Sequence, residues 1–325
     1  MIARLRFVAG RLLQAVPIVL GIVILNFLLV HLAPGDVAMV LAGEAGGAPP
    51  EYIERLRHQF GLDQPLWLQL LYYVKNILLL DLGYSFRQNM PVLQLILGRL
   101  GPTLLLMGTT LVLSVGIGVL LGLIAAMQVR RWTDSMISVL AIVAYAMPLF
   151  WIGLMFIVLF SLKLDWLPTT GMETIAAFYE GWERVVDVAW HLILPSVTLS
   201  LFYMALYTRL MRAAMLEQAG MEYVTTARAK GLTERRITFG HILRNAFLPV
   251  LTVIGVQVGS LLGGSVVVEA VFAWPGLGQL AFQSLFARDF NLLLGIFFLS
   301  ACLVVVVNLA VDLLYALLDP RIEAR

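Results

Sequence analysis

The sequence predicts an all-α integral membrane protein of six transmembrane helices, with a helical extracytoplasmic insert after the first. Three observations predict it. Hydrophobic residues make up 61% of the chain and charged residues only 13%, whereas about a quarter of a soluble domain is charged; mean hydropathy is +0.92. Apolar runs with the length needed to cross the hydrocarbon, about 20 helical residues, recur at 12–33, 102–127, 135–162, 191–212, 248–271 and 290–317. Lys and Arg gather in alternate interspan segments, the pattern that sets orientation.

At the N-terminus, Arg4, Arg6 and Arg11 precede the first run. That run exceeds the apolar core of a secretory signal, so 1–33 reads as a retained anchor helix. Residues 34–101 follow as the insert. Within it, 65–80 is apolar but short and carries Lys75 and Asn76. With Trp67, Tyr72 and Tyr73 it reads as a helix lying at the outer surface rather than a seventh span. Residues 102–325 form a five-helix core. Gly118 with Gly122, and Gly255 with Gly259, sit at the spacing that lets helices approach closely, and intramolecular packing is the expected use. Pro148 and Pro195 each kink or start a helix; kinks of that kind shape a pore or, more commonly, bend a helix for packing. The loop 163–190 carries five acids against two bases, as an exported loop does. An even number of spans leaves both termini on one side. Arg130 and Arg131, the basic loop 213–247 and the C-terminal tail share that side, which is then the cytoplasm.

Composition also excludes functions. The net charge of +2 is spread through short loops and marks orientation, so no nucleic-acid partner is expected. Cys302 is the single cysteine, which rules out an intrachain disulfide and a cysteine-built metal site. The four histidines, His31, His58, His191 and His241, fall in separate loops and span ends, so no metal centre is expected. The sequence has no GxxxxGK[ST] phosphate loop, no HExxH and no GxSxG, so the chain reads as no enzyme.

The basic loop carries the most information. Glu222 to Lys230 favours a helix with Arg228 and Lys230 in its last turn, where cations complement the dipole. Gly231 stands where a left-handed stop is needed. Thr233 offers a cap for a second short helix that runs towards Pro249. Further along, Trp274-Pro275-Gly276 ends a span in a tight turn with an interfacial aromatic. Near the outer end of that span, Glu269 fits two uses: lining a path where it meets a peptide amino group, or reaching the interface.

The segment TARAKGL (226–232) followed by Leu248-Pro249 resembles the cytoplasmic coupling loop of permease subunits in bacterial ABC importers, in the dipeptide, oligopeptide and nickel branch. Thr225, Thr226 and Ala227 stand where the general form has glutamate-alanine-alanine, and the 231–248 interval is longer than in sugar importers; both departures fit that branch. APGD (33–36), FGLDQP (60–65), DLGYS (81–85), EAVFAWPGLG (269–278) and DLLYALLDPRI (312–322) extend the resemblance over nearly the full length.

The resemblance implies a type I ABC importer transmembrane fold in the bacterial inner membrane, translocating di- or oligopeptides from periplasm to cytoplasm by alternating access. It implies a homologous second permease, two ABC ATPase subunits that bind ATP and Mg, and a periplasmic substrate-binding protein. Tyr223, Thr225, Thr226, Ala227, Arg228, Ala229, Lys230, Gly231 and Leu232 become the expected ATPase-coupling residues, and Glu269 and Pro148 the expected path residues. The same class with nickel, glutathione or another small solute as cargo stays open. An ion-coupled secondary transporter would show repeats and ionisable residues at mid-membrane depth, and the chain shows neither plainly. A membrane-embedded enzyme would need paired carboxylates or a histidine cluster inside the spans.

Overall fold

The structure is a computed structural model that describes residues 2–32, 49–59 and 63–318. APGD (33–36) and parts of FGLDQP and DLLYALLDPRI lie outside them. The chain forms α1 (Ile2–Leu32), α2 (Pro50–Gln59), α3 (Leu66–Leu78), a two-residue pair β1 (Tyr84–Ser85) and β2 (Met90–Pro91), then α4 (Val92–Met127), α5 (Trp132–Ala146) and α6 (Leu149–Phe156). After α6 come a π-helical turn (Ile157–Lys163), α7 (Gly181–Ala219), α8 (Glu222–Ala229), α9 (Glu234–Ile237), a second π turn (Thr238–Ile242), α10 (Leu243–Val271), α11 (Leu277–Phe286) and α12 (Phe290–Leu318).

Among the described residues, four stretches are long and apolar enough to cross a membrane: Val92–Met127, Gly181–Ala219, Glu234–Val271 and Phe290–Ala310. The expected single span 135–162 is instead two helices, Trp132–Ala146 and the stretch Leu149–Lys163, bent 103° to one another. Pro148 is the cause: it forces Met147 into extended backbone (ψ 137°) and, itself extended (ψ 132°), stands as the N-cap before α6 begins at Leu149. Counting the bent pair as one span gives five, and the apolar part of α1, Leu13–Leu29, is shorter. Three expected boundaries also move. α4 begins at Val92 with Pro102 inside it, α7 already begins at Gly181 with Pro195 inside it, and α10 carries Pro249 inside it. Proline is tolerated in such helices because neighbouring groups re-satisfy the carbonyl it leaves free.

Two compact units result, one comprising the chain through Arg99 with the chain from Leu280, the other Leu100–Gln279. In the first, α1 packs on α12 and α3 around Val23, Ile77 and Phe298, with Tyr73 and Cys302 at the edge of the cluster. At about 1.5 Å per residue, the 13-residue α3 is too short to span, as the sequence indicated. The β1–β2 hairpin closes the DLGYS segment. There the Ser85 hydroxyl donates to the Asp289 carboxylate, which also accepts the Leu292 amide (3.2 Å) and so caps α12.

In the second unit α7 is the centre, packed by α5, α6 and α10. Gly118 and Gly122 let α4 lie against it. A Cβ added at Gly122 would stand 2.6 Å from the Thr208 carbonyl and 2.7 Å from the Met211 Cβ. At Gly118 it would meet the Tyr207 Cβ at 2.7 Å. The small pair is therefore used for packing within the chain. Replacing Gly122 by Val is expected to lower stability by about 1–3 kcal/mol through overpacking, whereas Gly116→Ala, where an added Cβ meets nothing within 4 Å, is close to neutral. Thermal melts of the purified chain in detergent check both.

Candidate functional site

The elbow between α7 and α10 is built as a handle fixed at its inner side and free at its outer one. α8 ends in a Schellman arrangement: the Leu232 amide bonds the Ala227 carbonyl (3.3 Å) and the Gly231 amide bonds the Arg228 carbonyl (2.9 Å). Gly231 has φ +78°, the left-handed conformation that glycine adopts without a Cβ penalty. Val224, Ala227 and Ile237 are buried. Thr225, Thr226, Arg228, Ala229, Lys230 and Gly231 are exposed, with Tyr223 and Leu232 half-buried. The predicted segment is thus one element with one outward face. The Tyr223 hydroxyl holds the Gln218 side chain at the end of α7 (2.9 Å).

Across the bend, the Arg228 guanidinium donates to both oxygens of Glu234 at 2.7 and 3.3 Å. That hydrogen bond keeps Arg228 above its ordinary value and so charged at any working pH. Thr233 occupies the capping position of α9, but its side chain makes no capping bond. The second helix is also not short: α9, the π turn and α10 run on through Pro249 as one 38-residue stretch. Hydrophobic periodicity cannot show this, because a π turn shifts the apolar face without ending the helix.

The second constellation surrounds Glu269, which is 0% exposed. Its carboxylate accepts from the Thr103 hydroxyl on α4 (2.9 Å) and from the Gln279 amide in the first turn of α11 (3.0 Å). The Gly278 amide adds a further donor. Thr103 in turn accepts the Leu277 amide at 2.7 Å. One carboxylate therefore satisfies the N-terminus of α11, where orphan amides and the helix dipole both favour negative charge. An added Cβ at Gly276 would lie 2.3 Å from the carboxyl carbon, so the glycines of WPGLG make room for this group.

Trp274 is not an interfacial anchor. It is fully buried, and its indole N–H donates to the Pro102 carbonyl (2.9 Å). A second Schellman turn, with Ala273 at φ +48° and the Trp274 amide on the Glu269 carbonyl (2.9 Å), aims the indole inward. Pro148 is exposed at the α5–α6 break. The structure brings Glu269 together with Thr103, Trp274 and Gln279; the elbow residues form a separate group.

Sequence reading missed Asp134 and Arg212. The Arg212 guanidinium grips Asp134 through two hydrogen bonds of 2.6 and 2.8 Å. The available signal was an acidic residue in the first turn of a span beside Arg130 and Arg131, with an arginine near the same face of another span. Truncating Glu269 to Ala is expected to destabilise the chain by about 3 kcal/mol or more, because Thr103 and two amides lose a buried partner. Glu269→Gln, which keeps one acceptor, loses less. Thermal unfolding of both variants in detergent measures the difference.

Comparison with known proteins is consistent along the whole chain. Over 336 aligned residues it is 37% identical to the dipeptide transport system permease protein DppB of Escherichia coli strain K12, covering 98% of this chain and 99% of that protein. It is 41% identical to the oligopeptide transport system permease protein AppB of Bacillus subtilis strain 168, with the same coverage. Among solved structures, it superposes on a chain of the MetNI methionine ABC transporter in an inward-facing conformation. There the TM-score is 0.55 and the identity 17%, over 70% of this chain and 97% of that one. That likeness concerns the type I importer transmembrane fold. Residues 4–107 match the N-terminal model of binding-protein-dependent transport system membrane components. Residues 118–324 match the main model of the same group, and the chain belongs to the family of binding-protein-dependent transport system inner membrane components.

Proposed function

We propose that the chain is a permease subunit of an ATP-driven importer that carries di- or oligopeptides from periplasm to cytoplasm by alternating access. The observation that carries the reading is similarity over 98% of the chain to a dipeptide and to an oligopeptide permease. In the assembly, a homologous second permease completes the pathway, two ABC ATPases bind ATP and Mg beneath, and a periplasmic binding protein delivers the peptide. In this reading both termini face the cytoplasm, which the distribution of Lys and Arg supports. The exposed face of the elbow, Thr225 to Gly231, seats in an ATPase, whose nucleotide state supplies the differential affinity that a two-state switch needs.

Pro148 at the break is the path residue of this proposal. Glu269, with its oxygens occupied by Thr103 and Gln279, braces the outer turn and reaches cargo only if that turn opens. The buried hydroxyls of Thr110, Thr198 and Tyr207, which have no hydrogen-bond partner among the described residues, suit a chain that repacks between states. Unpaired polar groups are costly in one fixed arrangement.

Identifying the ligand that co-purifies with the cognate binding protein tests the cargo: a peptide supports the reading, and nickel or glutathione replaces it. Gly231→Val forces a branched side chain into a left-handed position, at about 1–2 kcal/mol of local strain. It is expected to abolish peptide uptake in proteoliposomes and to weaken retention of the ATPases during purification. Uptake and retention equal to wild type would remove the elbow from the mechanism.

A further inference from the structure

The end of α7 that leads into the elbow is bolted to a second helix by the Asp134–Arg212 pair. Arg212 lies about two turns before the α7 C-terminus at Ala219. Its planar fork holds both Asp134 oxygens, and Asp134 is 5% exposed. Asp134 stands in the first turn of α5, where the helix dipole adds to the attraction. The carboxylate has a third partner, the Arg130 amide in the α4–α5 turn (3.1 Å); Arg130 itself takes a left-handed backbone, φ +64°, to present it. Three segments meet at one carboxylate.

The remaining contact between α5 and α7 includes ring packing at the other end of α5: Tyr145 stacks on Phe202 with ring centroids 4.7 Å apart, and the Arg209 guanidinium lies 4.7 Å from the centroid of the same Tyr145 ring. Stacked-ring and cation–π contacts tolerate small offsets, whereas a bidentate pair fixes both distance and direction. At its far end, α5 terminates in the 103° break at Met147 and Pro148. A helix of 15 residues, about 22 Å long, thus connects the clamp to the one sharp bend among the described spans.

We infer that the Asp134–Arg212 pair is a transmission joint: it makes α5 move as one body with the elbow end of α7 and so passes the elbow's displacement to the break at Pro148. Asp134 and Arg212 are positioning residues here, acting through α5. The inference rests on the elbow's being the ATPase-docking segment.

The test uses the complete complex in nanodiscs, with Cys302→Ala and spin labels at two exposed positions, Val139 on α5 and Glu217 on α7. In the wild type, the label distance is expected to stay the same between the nucleotide-free and ATP–vanadate states. In Asp134→Asn it is expected to lengthen or broaden on ATP–vanadate binding. The exchanged pair Asp134→Arg with Arg212→Asp is expected to restore a single distance. Proteoliposomes carrying Asp134→Asn are expected to take up radiolabelled dialanine about tenfold more slowly, within the usual range of coupling energies, while ATP hydrolysis stays near the wild-type rate.

An unchanged distance in Asp134→Asn overturns the joint, as does a parallel fall of uptake and hydrolysis, which indicates a merely structural role. Failure of the ATPases to co-purify with the wild-type chain overturns the elbow reading and the joint with it.

Discussion

A polar group inside a membrane span has to find its hydrogen-bond partners within the protein, and Glu269 shows how this chain meets that requirement. Its carboxylate accepts from Thr103 and from the amide end of α11. These are groups that would themselves be unsatisfied in hydrocarbon, so each removes the other's desolvation penalty. The packing follows from this arrangement. Gly276 and Gly278 keep the backbone close to the carboxylate, and Ala273 accepts a left-handed conformation to turn the chain. Trp274 folds inward onto Pro102 rather than outward to the interface. The motif EAVFAWPGLG is a single construction around one carboxyl group.

The elbow obeys a complementary constraint. Its backbone is closed by its own Schellman bonds, while buried Val224, Ala227 and Ile237 and the Tyr223–Gln218 hydrogen bond anchor it. The shape therefore holds without help while most of the face stays free for a partner. Arg228 and Glu234 pair across the bend, but both are solvent-exposed, and an ion pair of that kind steers orientation more than it stabilises. The Asp134–Arg212 pair differs because Asp134 is buried, so losing Arg212 would leave its carboxylate shielded and short of a partner. Rigidity is thus concentrated where α7 meets α5, and accessibility where the chain turns.

Polar and small residues are distributed along the spans to match. Lipid offers no hydrophobic driving force between helices, so association relies on close fit. Gly118 and Gly122 supply that fit against α7. Ser196 and Thr208 return their hydroxyls to carbonyls of their own helix, Leu192 and Met204. Their polarity is thereby spent locally and places little demand on neighbours.

The sequence alone was enough to identify the membrane class, the family, the α8–Gly231 turn with its basic last turn, and a helix within 65–80 too short to span. Each of these depends on local chemistry: a run of apolar residues, a residue without a Cβ at a left-handed position, or an ordered set of short motifs. Tertiary structure decided the rest. Pro148 breaks a span while Pro102, Pro195 and Pro249 sit inside continuous helices, a difference that the presence of a proline alone does not encode. Trp274 faces inward and Glu269 is enclosed because Pro102 and Thr103, more than 160 positions away in the chain, supply their partners. Asp134 finds Arg212 across a separation of 78 residues. Periodicity and composition describe what a segment is, whereas a buried polar group's role is fixed by whatever the fold brings within hydrogen-bonding distance.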